Sequence, residues 1–379
     1  MRNKNLTAIT GGAGIGKTTR ILADSRYEAI VSYTNAVAEN AAQRGARAKC
    51  KTVYKLVWPF VKARPPVAAR AEKAASYATQ AVESTVDPKL DQFAADAPSR
   101  QPKGDPFKLA LKLHGWEEGP PPFDLLAARA QVEPANPRCP LAFVLTLADF
   151  LAGVEADPTW QRPYGLIAGD EWQDFSALEV RVCLALADEV HGWGDPCQAI
   201  FASNKGNPAG KLPYGWRAAR EVREIGEGGW RCGDPLAGFA ARLIKPYYAM
   251  TPEAFRAKHE TEILVWEDPR QIPPRGLAMG LSRNRVVEAF RDWGLRGKFV
   301  RIGERAEPDK ELVLATIHNA KGYEADDCYL LPWADAEMKG LSRQNGEWLK
   351  LAYTALTRAR RRVFVPRTLL HLMQGIACR

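Results

Sequence analysis

Residues 11–19 read GGAGIGKTT, between a strand-like run, LTAIT (6–10), and a helix-like run, RILAD (20–24). The spacing Gly11-x-x-x-x-Gly16-Lys17-Thr18, after a strand and before a helix, is that of a phosphate-binding loop. Glycines let backbone N–H groups wrap phosphate oxygens without side-chain clashes, and the helix starting near Lys17 adds its positive dipole end. Gly11, Gly12, Ala13, Gly14, Ile15, Gly16, Lys17, Thr18 and Thr19 are therefore expected to hold a nucleoside triphosphate, ATP or GTP. Lys17 would neutralise the β- and γ-phosphates, and Thr18 would bind Mg2+.

Such a loop belongs in a parallel α/β fold, and the rest of the chain agrees. Short apolar runs alternate with helical stretches at LTAIT, EAIVSY (28–33), YGLIAGD (164–170) and EVHGWGD (189–195). They do so again at EILVWE (262–267), GLAMGLS (276–282), KFVRIG (298–303), LVLATI (312–317), CYLLPW (328–333) and RRVFVP (361–366). Strands alternating with helices predict parallel sheets flanked by helices. Residues 58–145 differ: Ala- and Pro-rich, with helical patches, they read as a helical and partly irregular insert. At 379 residues the chain has room for two domains and such an insert.

The formal net charge of +9 favours a polyanionic partner, nucleic acid or an acidic membrane. The longest apolar stretch, residues 140–154, is interrupted by Asp149 and too short to span a bilayer. The polar start lacks a signal-like apolar core, so a cytoplasmic protein is expected. The seven cysteines are scattered with no CxxC pair, which argues against zinc and disulfide frameworks.

The strand YGLIAG runs into DEWQDFS (170–176). An aspartate at the end of a buried strand can hold Mg2+, and an adjacent glutamate can take the proton of an attacking water. Asp170 is the candidate metal ligand with Thr18, and Glu171 the candidate base. The next strand ends in GDPCQAIF (194–201), whose Gln198 could report the γ-phosphate.

In that order, GGAGIGKTT, DEWQDFS and GDPCQAIF resemble motifs I, II and III of superfamily 1 helicases, nearest to the UvrD/Rep/PcrA branch. VSYTNAVAENA (31–41) resembles motif Ia and KTVYKL (51–56) motif Ib. GGWRCGDPLAGFA (228–240) resembles motif IV, and GLSRNRVVEAF (280–290) the segment that follows it. ATIHNAKGYEADD (315–327) resembles motif V, and LAYTALTRARRRVFV (351–365) motif VI. The resemblance implies two RecA-like parallel-sheet domains: 1–57 with 146–228, interrupted by the insert 58–145, and then 229–379. It places Arg231 and Arg358 as γ-phosphate arginines beside Lys17, Glu171 and Gln198. Trp230 would stack on adenine, Glu324 would contact the ribose, and Lys321 would lie near the phosphates or DNA. Tyr33, Thr34, Asn35, Thr52, Tyr54, Thr316 and His318 would touch single-stranded DNA.

The implied activity is ATP- and Mg2+-dependent translocation on single-stranded DNA. It would run 3′→5′ and unwind duplexes in replication, repair or recombination. Single-stranded DNA and single–double-strand junctions would be the partners, with replication or repair proteins beside them, and the chain would act as a monomer away from membranes. Two other readings stay open: a non-unwinding, ATP-switched loader or clamp on single-stranded DNA, and an RNA-directed motor. A kinase or GTPase that merely carries a phosphate loop leaves motifs Ia, V and VI unexplained. The chain departs from the family in three places. No glutamine motif precedes the phosphate loop, so selectivity for ATP over GTP is open. IFASNKG (200–206) has Phe201 but no tryptophan. RIGERAEPDKELVLATIH (301–318) runs through the point where relatives carry an accessory insert. So compact a form would suit a phage or mobile element, whose compartment is the host cytoplasm. Within the remaining insert, GWEEGPPPF (115–123) is a candidate duplex-separating tip.

Overall fold

The computed structural model describes residues 3–32, 48–61, 105–122, 125, 140–201, 211–225, 231–249, 257, 259–268, 270, 272–301, 304, 306–344 and 346–378. Two six-stranded sheets organise them, and every strand pairing in both is parallel. The first holds β1 (Asn3–Thr10), β2 (Ala29–Ser32), β3 (Lys49–Thr52), β4 (Tyr164–Asp170), β5 (Ala187–Gly194) and β6 (Ala219–Glu224), in the order β3-β2-β4-β5-β1-β6. The second holds β7 (Glu262–Trp266), β8 (Gly276–Gly280), β9 (Lys298–Phe299), β10 (Leu312–Thr316), β11 (Ala325–Leu330) and β12 (Ala359–Pro366), in the order β7-β12-β11-β8-β10-β9. These are two RecA-like parallel-sheet lobes.

Strands buried on both faces read as continuous apolar runs. That is why β8 and β10, buried at every residue, are plain in the sequence. The two strands absent from the sequence reading, β3 (KCKT) and β6 (AREVRE), are the edges of the first sheet. Only Ala219 of β6 is buried; Arg220, Glu221, Arg223 and Glu224 guard the edge around the exposed Val222.

Strand order positions the candidate site. β5 lies between β1 and β4, so GGAGIGKTT, GDPCQ and DEWQD leave the carboxyl ends of three adjacent strands. Ligands in open α/β sheets bind at such carboxyl ends.

The apolar stretch that opens at Pro140 is a helix, Pro140–Glu155, whose Leu141, Val144, Leu145, Ala148 and Leu151 sit in the first lobe's core. No helix among the described residues is long and apolar enough to cross a membrane. The expected insert boundaries at 57/58 and 145/146 fall inside two packed helices, Val53–Val61 and Pro140–Glu155. Most of the insert lies outside the described residues, but its 105–122 portion does not stand away from the body. Leu113 and Trp116 bury in the first core, and the Arg181 guanidinium lies 4.2 Å from the Trp116 ring centroid. Glu117 pairs with Arg217, Oε1 to Nη2, at 2.5 Å. The described part of the candidate tip is thus docked through Trp116 and Glu117, and its exposed residues are 118–120 and 122.

Candidate nucleotide site

The phosphate loop is anchored at both ends. The Gly11 amide donates to the Gly194 carbonyl at 3.1 Å, joining β1 to β5. Ala13 and Ile15 are buried, and Ile15 packs on Ile9 and Ile225. Gly14 and Gly16 have φ of 73° and 78°, a region that side-chain-bearing residues rarely adopt. Gly16 caps the helix Lys17–Ala23. Lys17 Nζ donates to the Gly11 and Gly12 carbonyls at 2.7 and 2.9 Å. Burial pushes the lysine's pKa down, against the opposing pull of Asp195, Glu171 and Asp170. Thr19 is exposed.

Thr18 Oγ1 donates to Asp170 Oδ2 at 2.9 Å, across the gap between the first helix and β4. A hydroxyl and a carboxylate side by side are hard oxygen donors of the kind Mg2+ takes. Glu171 follows with φ of 56°, left-handed backbone in a residue with a side chain. Such strain persists only where the surroundings over-determine it. Here the Glu171 amide donates to Asp170 Oδ1 at 3.0 Å, and Glu171 Oε2 accepts from Gln173 Nε2 at 2.5 Å. Burial, then repulsion from Glu171, raises the pKa of Asp170. Burial opposes ionisation of Glu171 as well, but Lys321 and Lys17 prevail and hold it below the usual carboxylate range.

Trp172, fully buried, is the keystone under this turn. Added methyls on Gly169, Gly192 and Gly215 would come within 2.2, 2.3 and 2.1 Å of its indole. Glycines from β4, β5 and the helix Tyr214–Ala218 therefore make room for one ring. Gln173 Oε1 accepts the Asp195 amide at 3.0 Å, tying DEWQD to GDPCQ.

Among the described residues, the side chains by which the second lobe meets this surface include Arg358, Tyr353, Lys321 and Arg231. Arg358, buried, donates from Nη2 to Gln198 Oε1 at 2.6 Å and from Nε to the Thr354 carbonyl at 3.1 Å. Gln198 Nε2 donates to Asp195 Oδ2 at 2.9 Å, and Tyr353 Oη donates to the same oxygen at 3.0 Å. Lys321 Nζ pairs with Asp174, donates to the Gln198 carbonyl at 3.1 Å and lies 3.5 Å from Glu171 Oε2. Arg231 abuts the phosphate loop: a methyl on Gly14 would lie 2.4 Å from Arg231 Cβ. Its Nε donates to Glu324 Oε2 at 2.6 Å. The structure therefore brings Lys17, Asp170, Glu171, Gln198, Arg231, Arg358 and Glu324 to one seam. Gln173, Asp174, Asp195 and Tyr353 join them without having been singled out from the sequence.

The seam is also apolar. Cys197, Ile200 and Phe201, which follow β5 of the first lobe, are buried in the core of the second.

The expected nucleic-acid residues are more dispersed. Tyr33, Thr34, Asn35 and also Trp230 lie outside the described residues. Thr52 Oγ1 accepts the Lys55 amide at 3.4 Å, and Tyr54 stacks on Trp58 with centroids 6.0 Å apart. Thr316 is buried, its hydroxyl accepting the Asn319 amide at 3.1 Å. His318 packs on Phe201 at 5.5 Å between centroids, and burial lowers its pKa.

No protein-family profile matches the chain, and no curated protein sequence matches it. Among solved structures it is similar to the arterivirus nonstructural protein 10 helicase (14% identity, TM-score 0.43, 98% of this chain and 61% of that one). It is also similar to that arterivirus helicase in complex with DNA (15%, 0.44, 99% and 64%) and to the PRRSV helicase (15%, 0.41, 96% and 53%). This chain spans less than two thirds of the length of each of those helicases.

Proposed function

We propose that the chain is a superfamily 1 motor of the UvrD-like branch that hydrolyses ATP to move 3′→5′ along single-stranded DNA and part duplexes. The observation that carries this reading is the approach of two arginines, Arg231 and Arg358, from the second lobe to the phosphate loop and Gln198 of the first. Guanidinium groups so placed can stabilise charge on a transferring phosphoryl group. Lys17 neutralises the phosphates, Glu171 takes the proton of the attacking water, and Gln198 links the γ-phosphate position to Arg358. Thr18 and Asp170 would hold Mg2+, which would supply charge neutralisation at the phosphates. Nucleotide between the lobes draws them together and its hydrolysis releases them, so closure is coupled to a population shift.

The test is nucleotide hydrolysis with and without oligonucleotides. Single-stranded DNA is expected to stimulate wild-type hydrolysis. Glu171→Gln is expected to lose about 10²–10⁴-fold in turnover while still binding nucleotide. Strand displacement on duplexes with a 3′ or a 5′ tail reads polarity. Stimulation without displacement favours a loader or clamp, and stimulation by RNA alone favours an RNA-directed motor. No hydrolysis with any polynucleotide would sink the motor reading.

Gly14→Ala is a second check on the seam. The residue has left-handed backbone, and the added methyl would collide with Arg231. Turnover is expected to fall at least about tenfold as that arginine is displaced. Wild-type turnover in this variant would mean that Arg231 is idle.

A further inference from the structure

The Arg231–Glu324 pair continues into side chains with no part in the site so far. Glu324 Oε2 accepts from Arg231 at 2.6 Å, and its other oxygen, Oε1, lies 3.6 Å from Arg360 Nη1. Arg360 is itself clamped. Its Nε donates to Asp326 Oδ1 at 2.9 Å, and its Nη2 donates to Asp309 Oδ2. The main chain is tied in too. The Arg360 carbonyl accepts from Thr261 Oγ1 at 2.7 Å and from His259 Nε2 at 2.7 Å. The same His259 Nε2 lies 3.2 Å from the Arg231 carbonyl. With two carbonyl acceptors, Nε2 must carry the proton, so one N–H spans both arginines' backbones. Burial works against a charged Glu324, but Arg231 and then Arg360 hold its pKa below the usual range.

We infer that Arg360 is a positioning residue for the Arg231 guanidinium, acting through Glu324. The inference rests on the nucleotide-hydrolysis reading. A lone arginine at a lobe surface samples many rotamers, and aiming it at the moment of reaction carries an entropic penalty. Here the ordering is already present. Asp309 and Asp326 fix Arg360, Arg360 faces one oxygen of Glu324, and the other oxygen orients Arg231. Preorganised charge of this kind needs no rearrangement when phosphoryl charge develops. Glu324 is then a guide for the arginine and not the ribose contact that the motif resemblance implies.

Steady-state ATP hydrolysis with single-stranded DNA tests this on wild type, Arg360→Ala, Arg231→Ala and the double variant, each with a thermal melt. Arg360→Ala is expected to lower kcat about 10- to 100-fold, with KM nearly unchanged. In the Arg231→Ala background the same change is expected to have little further effect, the non-additivity of residues acting as a unit. Asp309→Asn loosens the clamp with little change in volume. It should lower kcat less, and again only when Arg231 is present; it serves if Arg360→Ala folds poorly. Equal losses in both backgrounds, an unchanged kcat in Arg360→Ala and Asp309→Asn, or a wild-type kcat in Arg231→Ala would each overturn the inference and leave hydrolysis standing. A rise in KM with altered discrimination between ATP and its ribose-deoxy analogues would also overturn it, by assigning Glu324 to the sugar. A wild type that hydrolyses nothing removes the nucleotide reading and the inference together.

Discussion

Arg358→Ala is expected to lower nucleotide turnover by about 10³–10⁵-fold, the range found where an arginine stabilises a phosphoryl-transfer transition state. The side chain is buried at the seam, and burial, then repulsion from Arg231, brings its pKa down to about 10. It therefore stays charged at neutral pH. Its Nη2 rests on Gln198, so the cation is already held at the seam. Truncation also strips a partner from Gln198 Oε1, and a fall in melting temperature would accompany the kinetic loss. Arg358→Lys separates the two effects, because an ammonium keeps the charge but not the planar fork. Its turnover should lie between those of wild type and Arg358→Ala. Binding of a fluorescent nucleotide should change far less than turnover in both variants. An alanine variant with near-wild-type turnover would remove this residue from the chemistry.

Trp172→Ala is expected to destabilise the fold by about 3–5 kcal/mol, the usual loss on truncating a buried tryptophan. The cavity cannot collapse easily. Its walls include the backbone at Gly169, Gly192 and Gly215, held in two strands and a helix, and the Phe175 ring at 4.6 Å between centroids. Denaturant unfolding of the two proteins measures the difference. Trp172→Phe should lose less. Because Glu171 and Gln173 flank the indole, turnover is expected to drop even at temperatures where the variant remains folded. A difference below about 1 kcal/mol would show that the three glycines serve something other than this ring.

What could be read ahead of the structure depended on whether the signal was local. GGAGIGKTT and YGLIAGDEWQDFS each pair a strand end with its candidate site residues in consecutive positions, at the carboxyl ends of β1 and β4, the two strands that flank β5. The buried central strands were legible because apolar runs are their signature. β3 and β6 were not, since an edge strand in water looks like a polar loop. Trp172 fills a position where the DExQD pattern accepts any residue. Its importance comes from glycines that only the folded chain assembles. Arg360 sits in RARRR, where nothing local singles it out from its neighbours, while its partners Asp326 and Asp309 lie 34 and 51 residues away. Tyr353 and Asp195 are separated by 158 residues, and nothing local couples them.

The burial of Cys197, Ile200 and Phe201 in the opposite lobe has a mechanical consequence. A peg that stays seated leaves rotation as the easy motion and makes pulling straight apart the hard one. In the proposed nucleotide cycle, residues 196–201 would then be the fulcrum about which the lobes turn. On that proposal, travel would be smallest beside the fulcrum and grow toward the rims, so a strand held at the far margins would be carried the greatest distance.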